Sequence, residues 1–373
     1  MKVLVNISRV IVGILFIFSG LVKANDPNGL SYKMQEFFDV WANNPSLKTF
    51  MNWMNAYALP FSIIMITLEI IVGVGLLLGT WKKFFTTLLL LLIIFFTFLT
   101  GYAALSGKIA TCGCFGDCIP LTSTQSFLKD LILLVLVLIL FFGRKYIFPV
   151  FKRNMNVLLL AVSCVLVLFY QWHVMRHLPT VDCLPFKKGG NILKLRNMPA
   201  DAIPDKKEYR FVYEKDGKKQ NFTIKDLPDS SWEFVSREDF IVEKGKNNEP
   251  PIKDFYLTSL SGNDTTEAIL SLDASYYLFF VKDFSKTDRW FDNFKSIYSN
   301  ATKNNRLIYI ITPETVQAAN FFNIQHSFNI PVLSLDATSF KTAARTDPEL
   351  YLMKGSIVKN KWGWADLKNV LKN

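Results

Sequence analysis

Residues 59–81 read LPFSIIMITLEIIVGVGLLLGTW, and Glu69 is the one charged residue in the run. A hydrocarbon layer about 30 Å thick is crossed by about 20 apolar residues in α-helix, so this stretch predicts a membrane span. Four more blocks read the same way: Val3 to Val22, Phe84 to Leu105, Phe127 to Phe142 and Met155 to Trp172. The Phe127 block is shorter and carries Lys129 and Asp130 at its start. The first block is expected to stay in place as a helix, because Arg9 interrupts it early and no small-residue cleavage site follows. The long apolar blocks of the 373-residue chain end near residue 175, and an ordinary mixed-charge sequence follows.

The formal net charge is +11. Much of the excess sits at the ends of apolar blocks, in Lys2, Arg9, Lys82, Lys83, Arg144, Lys145, Lys152 and Arg153. That is the bias that orients membrane helices, so the charge points to topology and membrane lipid and away from nucleic acid. The expected location is a bacterial inner (cytoplasmic) membrane with the N-terminus cytoplasmic. The 23–57 loop, the cysteine-bearing loop and everything after the fifth span would then be periplasmic. Tyr32, Phe37, Phe38, Trp41, Phe50 and Trp53 fit short amphipathic helices in the interface. These are either a resting lid or a cover over a quinone or lipid pocket.

A carboxylate in mid-membrane is costly unless paired, so Glu69 invites a partner. Arg9, toward the cytoplasmic side, is the expected one. The pair reads as structural, or as part of a proton or quinone site; no other ionisable residue is expected beside it. Gly73, Gly75 and Gly79 on the same span allow close helix packing.

The chain has five cysteines. Cys164, inside the fifth span, reads as a small apolar residue. Cys112, Cys114 and Cys118 share one loop, TCGCFGDCIP at 111–120, and Cys183 follows the fifth span. In an oxidising compartment such thiols become disulfides. A Cys-x-Cys disulfide closes a very small, strained ring, which favours exchange. Three readings stay open: a redox relay, structural staples, or a metal site. The spacing fits zinc poorly and no metal is expected, although His173 and His177 lie one helical turn apart.

The first span, Arg9 to Lys23 with Asp26-Pro27, resembles the opening of DoxX-type membrane proteins. Cys112-Gly113-Cys114-Phe115-Gly116, with Pro120-Leu121 and Ser126 to Asp130, is similar to the MauE branch of that superfamily. The resemblance covers about residues 5–145. It implies a four-helix membrane unit associated with redox chemistry, linked in MauE to disulfide formation in a periplasmic partner enzyme and in DoxX proteins to quinone. It makes Cys112 and Cys114 the natural redox pair and leaves Cys118 and Cys183 without a family counterpart.

The expected organisation is a four-helix membrane domain over 1–150, a fifth span over 151–177, a connector over 178–250 and an α/β domain over 251–373. Asp216-Gly217 marks a β-hairpin in the connector. Residues 251–373 resemble a thioredoxin-like domain of the TlpA or peroxiredoxin kind. A first strand and hairpin span Pro251 to Gly262, and strands start near Tyr276, Leu307 and Pro331. A cis-proline is expected at Asp347-Pro348. No cysteine follows Cys183, and Asp283 to Asp288 stands where Cys-x-x-Cys would be. Exchange needs a thiolate, so this domain is expected to bind rather than react, its proline side presenting a client. The leading expectation is a thiol–disulfide redox protein. Cys112 and Cys114 would exchange, Cys118 or Cys183 would resolve, and a quinone would sit near Glu69 and Arg9. The alternative is a non-enzymatic envelope scaffold or assembly factor with structural disulfides.

Overall fold

The computed structural model describes residues 1–109, 113, 115–243 and 245–372. Among these, five helices are long and apolar enough to cross a membrane. They are α1 (Lys2–Ala24), α4 (Ala58–Leu78), α5 (Lys82–Ser106), α6 (Ser123–Phe142) and α7 (Arg153–His177). Two shorter helices, α2 (Pro27–Ala42) and α3 (Lys48–Ala56), carry the aromatic loop. Asp26 starts α2 by accepting the Gly29 N–H at 2.9 Å ahead of Pro27, and Thr122 and Gln125 form a reciprocal cap on α6.

Helix α1 packs on α4 and α6, α5 packs on α4 and α6, and α7 lies outside against α4. The α1–α4 approach depends on missing side chains: a Cβ on Gly73 would stand 2.9 Å from the Gly13 carbonyl oxygen. Lys2 and Lys82 both lie over the Phe148 ring, and Arg9 donates to the Phe148 carbonyl, so these basic residues meet at one end of the bundle.

At the other end stands a mixed α/β region. A hairpin, β1 (Lys206–Lys215) with β2 (Lys218–Thr223), turns at Asp216-Gly217 with both φ angles positive, as such a tight turn requires. A third strand, β3 (Glu233–Glu243), pairs with the far side of β1. The larger sheet holds β4 (Thr258–Ser259), β5 (Ser275–Phe280), β6 (Ile308–Thr312), β7 (Val332–Ser334), β8 (Glu349–Lys354) and β9 (Ile357–Gly363), in the order β4-β7-β6-β5-β8-β9. Strands β5, β6 and β7 run parallel and β8 and β9 antiparallel. Successive side chains of the central β5 feed opposite cores, Tyr276, Leu278 and Phe280 on one face and Tyr277 and Phe279 on the other. The Asp347–Pro348 peptide is cis.

Two expectations differ from the structure. The strand expected from Pro251 shrinks to the two residues of β4, because Pro250 and Pro251 lack ladder donors and Asp254 has φ +52°. The domain core begins before residue 251: Phe186 and Ile192 are buried in it, and Gly189 and Ile192 donate to the Val358 and Ser356 carbonyls at 2.8 Å.

Candidate functional site

Under the α2–α3 cover the bundle holds a cavity of about 340 Å³, within the range of small-ligand sites. Its walls are apolar: Phe16 of α1, Phe37 and Trp41 of α2, Met51 and Met54 of α3, Met65 and Leu68 of α4, and Phe96 of α5. Trp41 packs edge-on to Phe37 and Tyr102, which ties the cover to α5.

Polar groups enter this apolar space in matched pairs. Lys23 Nζ lies 2.5 Å from Glu69 Oε2, with side chains only 6% and 4% exposed. Lys129 Nζ lies 2.6 Å from Asp130 Oδ1, and the Thr100 hydroxyl donates to the other Asp130 oxygen at 3.0 Å. Lys33, at the rim, pairs with Glu36 at 2.9 Å. Each of these three lysines therefore has a carboxylate partner, the one for Lys33 standing outside the cavity wall. Gly113 and Phe115 also line the cavity, with Phe115 between Phe18 and the Lys129 ammonium.

Glu69 therefore does not pair with Arg9. Arg9 donates to the Leu76 carbonyl at 2.8 Å and the Leu77 carbonyl at 2.5 Å, capping the last turn of α4 beside Gly79. The last carbonyls of a helix lack partners and attract a cation, and antiparallel packing puts Arg9 level with that end. Arg9 is distant from the cavity, and Lys23 takes its expected place. Lys23, Asp130 and Thr100 were not expected as site residues. The signal for Asp130 was its charge at the start of a span; Lys23 and Thr100 gave none, since Lys23 reads as a flanking residue.

Cys112 and Cys114 lie outside the described residues; their neighbours Gly113 and Phe115 reach the cavity. Cys118 and Cys183 form a disulfide that joins the α5–α6 loop to the segment after α7. Both border a smaller cavity that shares Lys23, Leu30, Lys33 and Gly113 with the larger one. Cys164 is a free thiol in α7. His173 and His177 stack on each other, and His177 Nδ1 lies 3.0 Å from Asp366. Among the described residues, no three His, Cys, Asp or Glu side chains gather as a metal would need.

The α/β domain docks on this same end of the bundle. Arg345 reaches Asp26 at 2.6 Å and Asp117 at 2.5 Å, and its carbonyl accepts from Asn28 at 2.7 Å. Lys341 donates to Gln35 at 2.9 Å. The proline side of the domain, expected to face a client, is covered by this chain's own α2. Burial pushes the Tyr32 hydroxyl up to about 12 within this contact.

Asp347 accepts the Lys282 and Asp283 N–H groups at 3.1 Å, yet desolvation raises it to about 6. The folded form thus holds a proton that the unfolded chain releases near 3.8, so stability falls as pH rises from 3.8 through 6. The loss from this group is at most about 3 kcal/mol. Buried Glu349, also shifted up by desolvation, acts with the same sign. Thermal unfolding between pH 4 and 7 is expected to show this slope, flattened in Asp347→Asn; an equal slope in the variant would assign it elsewhere.

An apolar, covered cavity in a bundle with five candidate membrane helices defines a polytopic membrane protein that carries an α/β domain. Residues 1–143 match the model of the family described as methylamine utilisation protein MauE, so the membrane half is MauE-like. Residues 207–244 match a domain family of unknown function, DUF8463. Comparison with curated proteins and with solved structures returns no match.

Proposed function

We propose that the chain is a thiol–disulfide redox protein of the bacterial inner membrane. It would exchange disulfides with periplasmic client proteins through Cys112 and Cys114 and be linked to quinone. The observation that carries this reading is the cavity, whose wall includes Gly113 and Phe115, the residues beside the two cysteines. Its matched charges suit an uncharged ligand with hydrogen-bond acceptors better than an anion.

A quinone bound there supplies a two-electron, two-proton acceptor. This chain's own residues would do the rest: Lys23 and Lys129 would offer donors to it, Glu69 and Asp130 would hold or pass protons, and the α2–α3 cover would exclude water. At the loop, a client dithiol attacks the Cys112–Cys114 disulfide. The client becomes a disulfide, Cys112 and Cys114 become thiols, and the reoxidation of that pair releases the two electrons and two protons.

The basic cluster around Phe148 supports a cytoplasmic placement for that end, which would put the cysteines and the α/β domain in the periplasm. We read the α/β domain as thioredoxin-like on its parallel β7-β6-β5 strands flanked by the β8–β9 hairpin. With no cysteine after Cys183, it takes no direct part in exchange.

A structural role is favoured for Cys118 and Cys183 alone, since they are already bonded to each other. Were Cys112 and Cys114 equally static, the chain would act as an envelope assembly factor. Maleimide mass-shift labelling in native membranes tests this. Depleting quinone is expected to leave Cys112 and Cys114 reduced; a loop that stays oxidised whatever the quinone pool does would overturn the relay.

A further inference from the structure

Each cysteine of the disulfide follows an aspartate, as Asp117-Cys118 and Asp182-Cys183. Both aspartates are held by a cation of the α/β domain whose side chain is nearly closed off from solvent. Arg345, 5% exposed, meets Asp117 at 2.5 Å, and Lys361, 7% exposed, meets Asp182 at 3.0 Å. Glu349 at the start of β8 joins the Lys361 ammonium to the Arg345 backbone. One of its oxygens lies 3.2 Å from Lys361 in an ion-pair contact, and the other accepts the Arg345 and Thr346 N–H groups at 2.7 and 3.2 Å. The result is a closed loop running Cys118, Asp117, Arg345, Glu349, Lys361, Asp182 and Cys183.

The geometry is rigid where it matters. Arg345 is also held by Asp26 at the N-terminus of α2, and Lys361 lies over the Tyr351 ring on the neighbouring strand. Buried charges of this kind have few alternative partners, so each aspartate is confined by the cation opposite it. A cysteine one residue away is confined with it. Holding two thiols in each other's reach raises their effective concentration and favours the bond over the separated pair.

We propose that Arg345 and Lys361 are positioning residues that hold Cys118 and Cys183 together, so that the α/β domain sets how readily this disulfide is reduced. A domain without cysteines thereby acts on thiol chemistry through charge. By linkage the effect is reciprocal: the intact disulfide favours the docked domain as strongly as the docked domain favours the disulfide. The inference needs neither Cys112 and Cys114 nor a quinone, so it survives or fails apart from the proposed relay.

The test equilibrates the full chain, in lipid nanodiscs, with glutathione buffers of graded ratio. In each, one disulfide and two glutathione thiols convert to two protein thiols and one glutathione disulfide, the two protons passing to Cys118 and Cys183. Peptide mapping after alkylation reads the reduced fraction at these two positions. In Arg345→Met/Lys361→Met, the equilibrium is expected to move toward the dithiol by between about 5- and 150-fold, the usual span of coupling between sites. Arg345→Lys, which keeps a charge, is expected to restore part of the shift. Should the buried substitutions unfold the domain, Asp117→Asn/Asp182→Asn decides, because Arg345 keeps Asp26 and Lys361 keeps Glu349 as partners in it. A shift in that variant with the domain still protease-resistant supports the clamp; an unchanged equilibrium in it overturns the clamp.

Discussion

Joint replacement of Cys112 and Cys114 by serine is expected to abolish client disulfide formation while leaving the chain folded. The nucleophile in exchange is a thiolate, and a serine hydroxyl does not ionise near neutral pH. Cys164 lies alone in α7, and Cys118 and Cys183 are read as a structural bond, so the proposed relay leaves no second exchanging pair. Activity should fall to the uncatalysed background, and Cys114→Ser alone, left with one thiol and no disulfide to offer the client, should be equally inactive. The readout is client thiol state in cells carrying each variant. Normal client oxidation in the double variant would remove the relay and leave the assembly role.

The second large effect concerns Glu69. Its replacement by alanine strands the Lys23 ammonium, 6% exposed, in an apolar wall. Breaking a buried pair from one side costs about 3–5 kcal/mol, whereas removing both charges together is often neutral. Glu69→Ala is therefore expected to lower unfolding stability by that amount, and Lys23→Met/Glu69→Leu to regain most of it. Binding of a quinone analogue, followed by quenching of the cavity tryptophan Trp41, should be lost in both variants. Retained binding in the stable double variant would show that the pair serves the bundle alone.

The parts of the molecule legible in the sequence are those dictated by local pattern. Apolar run length marks the five spans, and Asp216-Gly217 marks the hairpin because its two positive φ angles call for those residues. The α/β strands are legible from short apolar runs between turns. The site was less so, because its contacts cross from one helix to another. Glu69 stood out by its charge, but its partner depends on which residue of α1 faces it. Helix rise alone suggested Arg9, whereas the carbonyls at the end of α4 claim that side chain first. Asp130 sits about two turns inside α6, near the start of the apolar run, where a charge passes for a flank until Thr100 and the cavity are seen beside it. Arg345 and Lys361 carry no local signal, since nothing in the neighbouring sequence tells that Asp117 and Asp182 will lie against them.

The three-stranded sheet has a bearing on how such a chain is inherited. Ile203 and Lys246 donate to each other's carbonyls at 2.7 and 3.0 Å, so the segment leaves and rejoins the α/β domain at one point. Ile192 before it and Ile252 after it share one core, and Ile252 donates to the Leu195 carbonyl at 3.0 Å. Everything between is thus a cassette set into a domain that closes without it, and its separate family match over 207–244 coincides with that unit. Such a cassette can be traded, enlarged or lost as one piece, leaving the membrane cavity and the charge clamp to evolve on their own schedule.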